Sequence, residues 1–205
     1  MTGVQTCALP IYLGNIAEDN GRLITQADLL AGATDLDGDT LSAVTLAFTT
    51  GSGVLIDNAN GTWTFTPTAD WNGAVSFSFN VDDGTTTTTN TAALVVDATN
   101  DAPAVIAVDL GNIAEDGSRL ITQADLLTGA TDPDGDSLSA VTLALTSGSG
   151  VLIDNANGTW TFTPTADWNG AVSFSFNVDD GTTTTTNTAA LVVDATNDAP
   201  AVIAV

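Results

Sequence analysis

Several residue types are rare or absent in this 205-residue chain. It contains no histidine, one cysteine (Cys7) and only two basic residues, Arg22 and Arg119. Because residues 12–205 contain neither cysteine nor histidine, disulfides, Cys/His zinc sites and histidine acid-base chemistry are excluded there. The formal net charge of −23 argues against nucleic acid and anionic membrane surfaces as partners. No apolar run approaches the roughly 20 residues of a membrane-spanning helix, so we expect no membrane insertion by this segment.

The sequence repeats itself with a period of 97 residues. Trp63 recurs as Trp160 and Trp71 as Trp168, and residues 13–108 match residues 110–205 without a gap. A unit of this length is close to the roughly 100 residues of an immunoglobulin-type sandwich. We therefore expect two tandem domains, and such near-identity favours duplication within a longer array.

The domain boundaries follow from the repeat. Residues 1–11 have no counterpart before the second copy, and we expect a non-native leader there. Repeat 1 then covers residues 12–103, repeat 2 covers residues 104–200, and residues 201–205 are expected to be the first strand of a truncated third repeat. The short linkers end in Pro103 and Pro200, and proline favours an extended passage between domains.

Within a repeat, short runs rich in Val, Phe, Trp and Thr alternate between apolar and polar residues, which predicts antiparallel β-structure. In the second copy the predicted strands are residues 104–108, 138–145, 150–153, 159–163, 171–178 and 182–193. One helical turn is predicted at residues 122–127, with Thr122 as its cap and Gly129 beyond its end. The fold class is therefore all-β, with two Greek-key sandwich domains and one short helical turn in each.

Carboxylates are clustered in loops and at strand ends. Crowded carboxylates repel one another unless a cation neutralises them, and calcium needs six to eight oxygen ligands. An EF-hand is excluded because glycine falls at the fourth position of the loop that begins at Asp132, and Leu143 stands at the twelfth. The alternative is that these aspartates are turn residues, caps and a solvated acidic surface.

Four motifs in order resemble the cadherin repeat and its relatives in large, type I-secreted (RTX-type) bacterial adhesins. They are Ala114-Glu115-Asp116, Ala130-Thr131-Asp132-Pro133-Asp134, Val178-Asp179-Asp180-Gly181 and the linker Asp97-Ala98-Thr99-Asn100-Asp101-Ala102-Pro103. The linker departs from the family pattern, and the family's D-R-E motif has only a loose counterpart in Asp70-Trp71-Asn72.

The resemblance implies calcium at the domain junction. The implied ligands are Glu18, Asp82, Asp83, Asn100 and Asp101 from the first repeat with Asp132, Asp134 and Asp136 from the second. Their repeat equivalents are Asp35, Asp37, Asp39, Glu115, Asp179, Asp180, Asn197 and Asp198.

The resemblance also implies a function. It predicts an extracellular, calcium-rigidified stalk on a bacterial cell surface, acting in adhesion or biofilm formation, with neighbouring repeats as partners. A second hypothesis is that the repeats themselves recognise glycans or second copies, with Trp71 and Trp168 as stacking platforms. Carboxylate pairs could in principle hydrolyse glycosides, but near-identical copies favour length and avidity over catalysis, so we expect no enzymatic activity.

Overall fold

The computed structural model describes residues 9–200, so the predicted third-repeat strand at residues 201–205 and most of the predicted leader lie outside it. The described chain separates after Thr99 into two compact units, unit 1 ending there and unit 2 beginning at Asn100. Ile11, the last residue of the predicted leader, is the first residue of strand β1.

Among the described residues, each unit has seven strands and one four-residue helix. In unit 1 these are β1 (Ile11–Ala17), β2 (Arg22–Thr25), α1 (Gln26–Leu29), β3 (Ser42–Thr50), β4 (Gly53–Asp57), β5 (Thr62–Pro67), β6 (Gly73–Asp82) and β7 (Thr87–Asp97). In unit 2 they are β8 (Val108–Ala114), β9 (Arg119–Ile121), α2 (Gln123–Leu126), β10 (Ser139–Ser147), β11 (Gly150–Asp154), β12 (Trp160–Pro164), β13 (Gly170–Asp179) and β14 (Thr184–Asp194).

The strands of each unit form two sheets. The four-stranded sheets have the orders β1-β7-β6-β3 and β10-β13-β14-β8, and the three-stranded sheets have the orders β2-β5-β4 and β11-β12-β9. All pairs are antiparallel except β1 with β7 and β8 with β14, which are parallel. The predicted all-β class with two tandem sandwich domains is confirmed.

The core of each unit lies between its two sheets, because alternate residues of the strands point inward. In unit 2, Phe162 of the three-stranded sheet meets Phe174 of the four-stranded sheet edge to face, with ring centroids 5.3 Å apart. The corresponding pair in unit 1 is Phe65 and Phe77, at 5.4 Å. All four phenylalanines are fully buried. Trp160 is buried too, as its alternation with Phe162 predicts.

The predicted helical turn is confirmed, and its capping is reciprocal. The Thr122 hydroxyl accepts the Asp125 N–H, and the Asp125 carboxylate accepts the Thr122 N–H at 2.8 Å. This capping box satisfies two N–H groups that a helix start would otherwise leave unpaired. Arg119 donates to the same carboxylate at 3.0 Å.

The predicted strand at residues 104–108 is wrong. Only Ala104 pairs, in an isolated bridge with Thr131, and the first strand of unit 2 begins at Val108 and runs beside β14. Asp109 and Gly111 made this segment look like a loop, but an edge strand tolerates a polar residue and a bulge. The register shift lies next to Gly111, whose φ of +76° suits glycine.

Candidate metal centre

Two acidic loops lie at one end of each unit, which we call the entry end. In unit 2 they are residues 132–136, before β10, and residues 179–181, which begin at the last residue of β13. Because Ser139 pairs with Asp179 in the β10–β13 ladder, both loops meet at the same edge of the sandwich. Residues 35–39 and 82–84 form the entry end of unit 1 in the same way, through the pair Ser42–Asp82.

The loop at residues 132–136 folds around one carboxylate. Asp132 Oδ1 accepts the backbone N–H groups of Asp134 at 3.0 Å and of Asp136 at 3.1 Å. Gly135 takes a φ of +80°, which a residue with a side chain adopts less readily. The turn brings oxygens of all three carboxylates within 4.8 Å of one another. In unit 1, Asp35 accepts the N–H groups of Asp37 and Asp39 in the same manner.

The first two residues of unit 2 join this cluster. The backbone N–H of Asp101 donates to Asp134 Oδ2 at 2.7 Å, and the Asn100 carboxamide donates to Asp180 Oδ2 at 3.1 Å. The sequence predicted this grouping of Asn100 and Asp101 with the loop of Asp132. Asp132 Oδ2 is buried and has no hydrogen-bond partner among the described residues, so the cluster contains a sequestered oxygen that a cation could use.

Asp180 is held in its ionised form. Its carboxylate accepts the N–H groups of Thr183 and Thr182, each at 2.6 Å, and the Thr183 hydroxyl at 2.7 Å. The Thr183 N–H is the strongest influence that keeps the pKa of Asp180 well below its usual range, and burial opposes it. Hydrogen bonds from Thr86 and Thr85 lower the pKa of Asp83 in the same way.

The opposite end of each unit, the exit end, is also acidic. Glu115 follows β8, is 5% exposed, and accepts the Thr196 N–H at 2.6 Å through Oε1. Oxygens of Asp116, Asp167 and Asp198 lie within 4.8 Å of one another nearby. Repulsion from Asp167 is the main cause that raises the pKa of Asp198. A cation at this end would relieve that repulsion.

The exit end of unit 1 has the same construction. Glu18 is 2% exposed, its carboxylate accepts the Thr99 N–H, and its other oxygen is buried without a hydrogen-bond partner in the described chain. The Asp70 N–H donates to Asp19 Oδ1 at 3.4 Å. A buried carboxylate without a counterion is costly, which fits a site that binds a cation.

The structure does not bring Asp82 and Asp83 to Glu18, although the predicted junction set contained all three. Asp82 lies opposite Thr87 at one end of the β6–β7 ladder, and Glu18 pairs through its backbone with Asp97 at the other. About ten residues of strand, or roughly 30 Å, separate these ends. The entry end of unit 2 uses its own equivalent residue, Asp180, beside Asn100.

Asp116 and Asp167, with their equivalents Asp19 and Asp70, were absent from the predicted ligand set. The signal was present in the sequence, since Asp116 belongs to the first acidic motif and Asp70 opens the loose counterpart of the D-R-E motif. Asp70 and Asp167 have φ values of +56° and +57°. Aspartate tolerates this left-handed conformation better than most residues do.

These two ends supply carboxylate, carboxamide and backbone oxygen and no sulfur or imidazole. Such a donor set suits hard divalent cations such as calcium and not zinc or copper. Calcium needs many oxygen ligands, and the grouped carboxylates and buried oxygens at these ends meet that need.

The tryptophans proposed as sugar platforms pack against the core instead. Trp71 and Trp168 are half-buried beside the core clusters of their units. A Cβ added at Gly170 would lie 3.1 Å from the Trp168 ring, and one added at Gly51 would lie 3.3 Å from the Trp71 ring. The rings therefore have a packing role, and the structure gives no support to the glycan-platform hypothesis.

The chain belongs to the cadherin-like domain family. The model of that family matches residues 6–97 and residues 99–194, one match for each repeat. Domains of this family are typically extracellular and bind calcium. The described part of the chain contains no helix that is long and apolar enough to span a membrane.

Solved structures similar to the chain include a protocadherin and a glycoside hydrolase. Human protocadherin-24 EC1-2 is 13% identical, with 92% of this chain and 95% of that chain covered and a TM-score of 0.49. An endo-fucoidan hydrolase of glycoside hydrolase family 107 is 27% identical, with 93% of this chain covered and a TM-score of 0.34. The chain spans about 28% of that hydrolase. A comparison with curated proteins found no match. At these TM-scores the similarities carry no argument about activity.

Proposed function

We propose that the two units are calcium-binding spacer modules in the stalk of a bacterial cell-surface adhesin, and that they have no catalytic role. The observation that carries the proposal is the distribution of carboxylates in unit 2. Asp132, Asp134 and Asp136 group at the entry end, while Asp116, Asp167 and Asp198 group at the exit end. A module with cation ligands at both ends is suited to tandem linkage.

The linker between the repeats is short, which supports the proposal that calcium makes the junction rigid. Only two residues separate the last residue of β7, Asp97, from Asn100. Glu18 at the exit end of unit 1 accepts the Thr99 N–H, and Asn100 contacts Asp180 within unit 2. We propose that ions bound by the exit-end carboxylates of one repeat and the entry-end carboxylates of the next fix the angle between them.

The adhesin role rests on repetition and charge. Near-identical copies extend a chain without adding chemistry, and a chain with a net charge of −23 stays soluble while it takes up cations. The proposed partners are therefore neighbouring repeats of the same protein. The bacterial surface and biofilm setting derive from the resemblance to RTX-type adhesins.

The test combines thermal unfolding with small-angle scattering of the full chain, in calcium and in a chelator at equal ionic strength. If each site binds with a dissociation constant near 10⁻⁴ M, calcium at about 100 times that value stabilises by about 2.7 kcal/mol per site. The scattering profile should become that of a more extended, rigid particle. Unchanged unfolding and scattering, or equal changes with sodium, would contradict the proposal.

A further inference from the structure

An Asn-Gly-Thr tripeptide occupies the same turn in each unit. Asn60-Gly61-Thr62 ends at the first residue of β5, and Asn157-Gly158-Thr159 lies between β11 and β12. The chain has fifteen asparagines, and these two alone have a serine or threonine two residues later. Asn-x-Ser/Thr, where x is not proline, is the acceptor pattern for N-linked sugar. The pattern is common by chance, so the geometry of the turn has to decide its meaning.

The turn activates the asparagine side chain. Asn157 Oδ1 accepts two hydrogen bonds from Thr159, one from the backbone N–H at 3.1 Å and one from the hydroxyl at 2.7 Å. Asn155 donates to the same hydroxyl oxygen at 3.0 Å, which leaves the hydroxyl proton for Asn157. Two donors on Oδ1 withdraw electron density from the carboxamide and make its N–H protons more acidic.

The same turn presents the reactive nitrogen to solvent. Asn157 is exposed at the tip of the hairpin, and within the described residues its Nδ2 makes no hydrogen bond. The Asn155 N–H closes the turn on the Thr159 carbonyl at 3.0 Å. Unit 1 repeats these contacts at Asn60 with the same two distances, 3.1 and 2.7 Å. A sugar at either position projects away from the core.

We propose that Asn60 and Asn157 are acceptors for N-linked glycosylation by a transferase that uses a sugar activated as a diphosphate ester. In the reaction, Nδ2 forms a bond to the anomeric carbon and loses a proton, which the released diphosphate takes up. The bond from that carbon to the diphosphate oxygen breaks, and its electron pair leaves with the diphosphate. The inference is independent of the calcium proposal, since no residue of either turn belongs to an acidic cluster.

The test treats the purified, folded full chain with a soluble N-glycosyltransferase and UDP-glucose, followed by intact-mass measurement and peptide mapping. The expected product carries one hexose on Asn60 and one on Asn157. Asn169-Gly170-Ala171 is the matched internal control, because it has the same Asn-Gly pair but lacks the hydroxyl, and it should stay unmodified. Thr159→Ala should remove the hexose from Asn157 only, and Thr159→Ser should restore it.

Three results would overturn the proposal. The first is an unmodified folded chain under conditions in which a short acceptor peptide is fully converted. The second is modification only after the chain is unfolded, which would show that the folded turn does not present the acceptor. The third is undiminished modification of Asn157 in Thr159→Ala. In each variant, the hexose on Asn60 reports that the chain and the enzyme remain competent.

Discussion

Replacement of Asp136 by asparagine should have opposite effects on stability in chelator and in calcium. The Asp136 side chain makes no hydrogen bond to other described residues, whereas Asp132 and Asp134 hold the loop and the linker through theirs. Asp136→Asn therefore removes a charge and a candidate ligand without removing a structural contact.

The magnitude without metal follows from the spacing of the three carboxylates. Their closest oxygens lie within 4.8 Å, and at that distance two unit charges repel by about 0.9 kcal/mol in the dielectric of water. Asp136 has two such neighbours, so Asp136→Asn should stabilise unit 2 by about 1 to 2 kcal/mol at low salt. Each kcal/mol corresponds to about 4 to 8 °C in the Tm of a domain of this size, and added salt should reduce the gain.

In calcium, the effect of Asp136→Asn on stability should have the opposite sign. At a concentration of about 100 times the dissociation constant, bound calcium contributes about 2.7 kcal/mol per site. A variant that lacks one charged ligand should lose most of this increment, so its Tm should fall below that of the parent chain. The assay is differential scanning calorimetry of the full chain in chelator and in calcium.

The matched control is Asp154→Asn, a charge removal in unit 2 outside the acidic clusters. The Asp154 side chain caps its own turn by accepting the Ala156 N–H at 2.8 Å, which asparagine can also do. Its effect should be small and equal in both conditions. If Asp136→Asn changes the Tm by the same amount and sign in chelator and in calcium, the carboxylates do not form a cation site.

Three further predictions concern the fold. Burial favours a higher pKa for Asp125, but the Thr122 hydroxyl and N–H and the Arg119 guanidinium lower it. Its contribution to stability is therefore full above the unfolded pKa of about 3.9 and is lost as pH falls through the folded pKa. Asp125→Asn should destabilise at pH 7, and chemical denaturation should show a difference that shrinks as the pH falls below that unfolded pKa. Phe174→Ala should lower the free energy of unfolding by about 3 to 5 kcal/mol in chemical denaturation, and an effect below about 1 kcal/mol would contradict the packing described. Thr142 is an exposed, β-branched residue with a φ of +57°, so Thr142→Asn should stabilise by about 1 kcal/mol, and a lower Tm would show that this conformation is not strained.

The sequence was sufficient for features that depend on local periodicity. Trp160 and Phe162 alternate on β12, and Thr122 and Asp125 have the spacing of a capping box, so core strands and the helical turn could be predicted. The strand Val108–Ala114 could not, because its bulge at Gly111 and its edge position hide the alternation.

The candidate site was predictable only in part, because the grouping of loops depends on strand length and register. Asn100, Asp101 and Asp134 could be grouped from their motifs. Asp82 and Asp83 were assigned to the wrong end of unit 1, since nothing local in the sequence states that β6 and β7 carry the chain from one end of the sandwich to the other. Asp167 was missed because its motif departs from the family pattern.

Calorimetric titration of the full chain with calcium, with magnesium at equal ionic strength as the control, distinguishes cation sites from a solvated acidic surface. Calcium should bind saturably at about 10⁻⁴ to 10⁻³ M, and magnesium, which loses its hydration shell reluctantly, should bind more weakly. Asp136→Asn should bind fewer ions than the parent chain, and Asp154→Asn should bind the same number. Heats that do not saturate, or that magnesium reproduces in full, would contradict the account and leave the carboxylates as a solvated acidic surface.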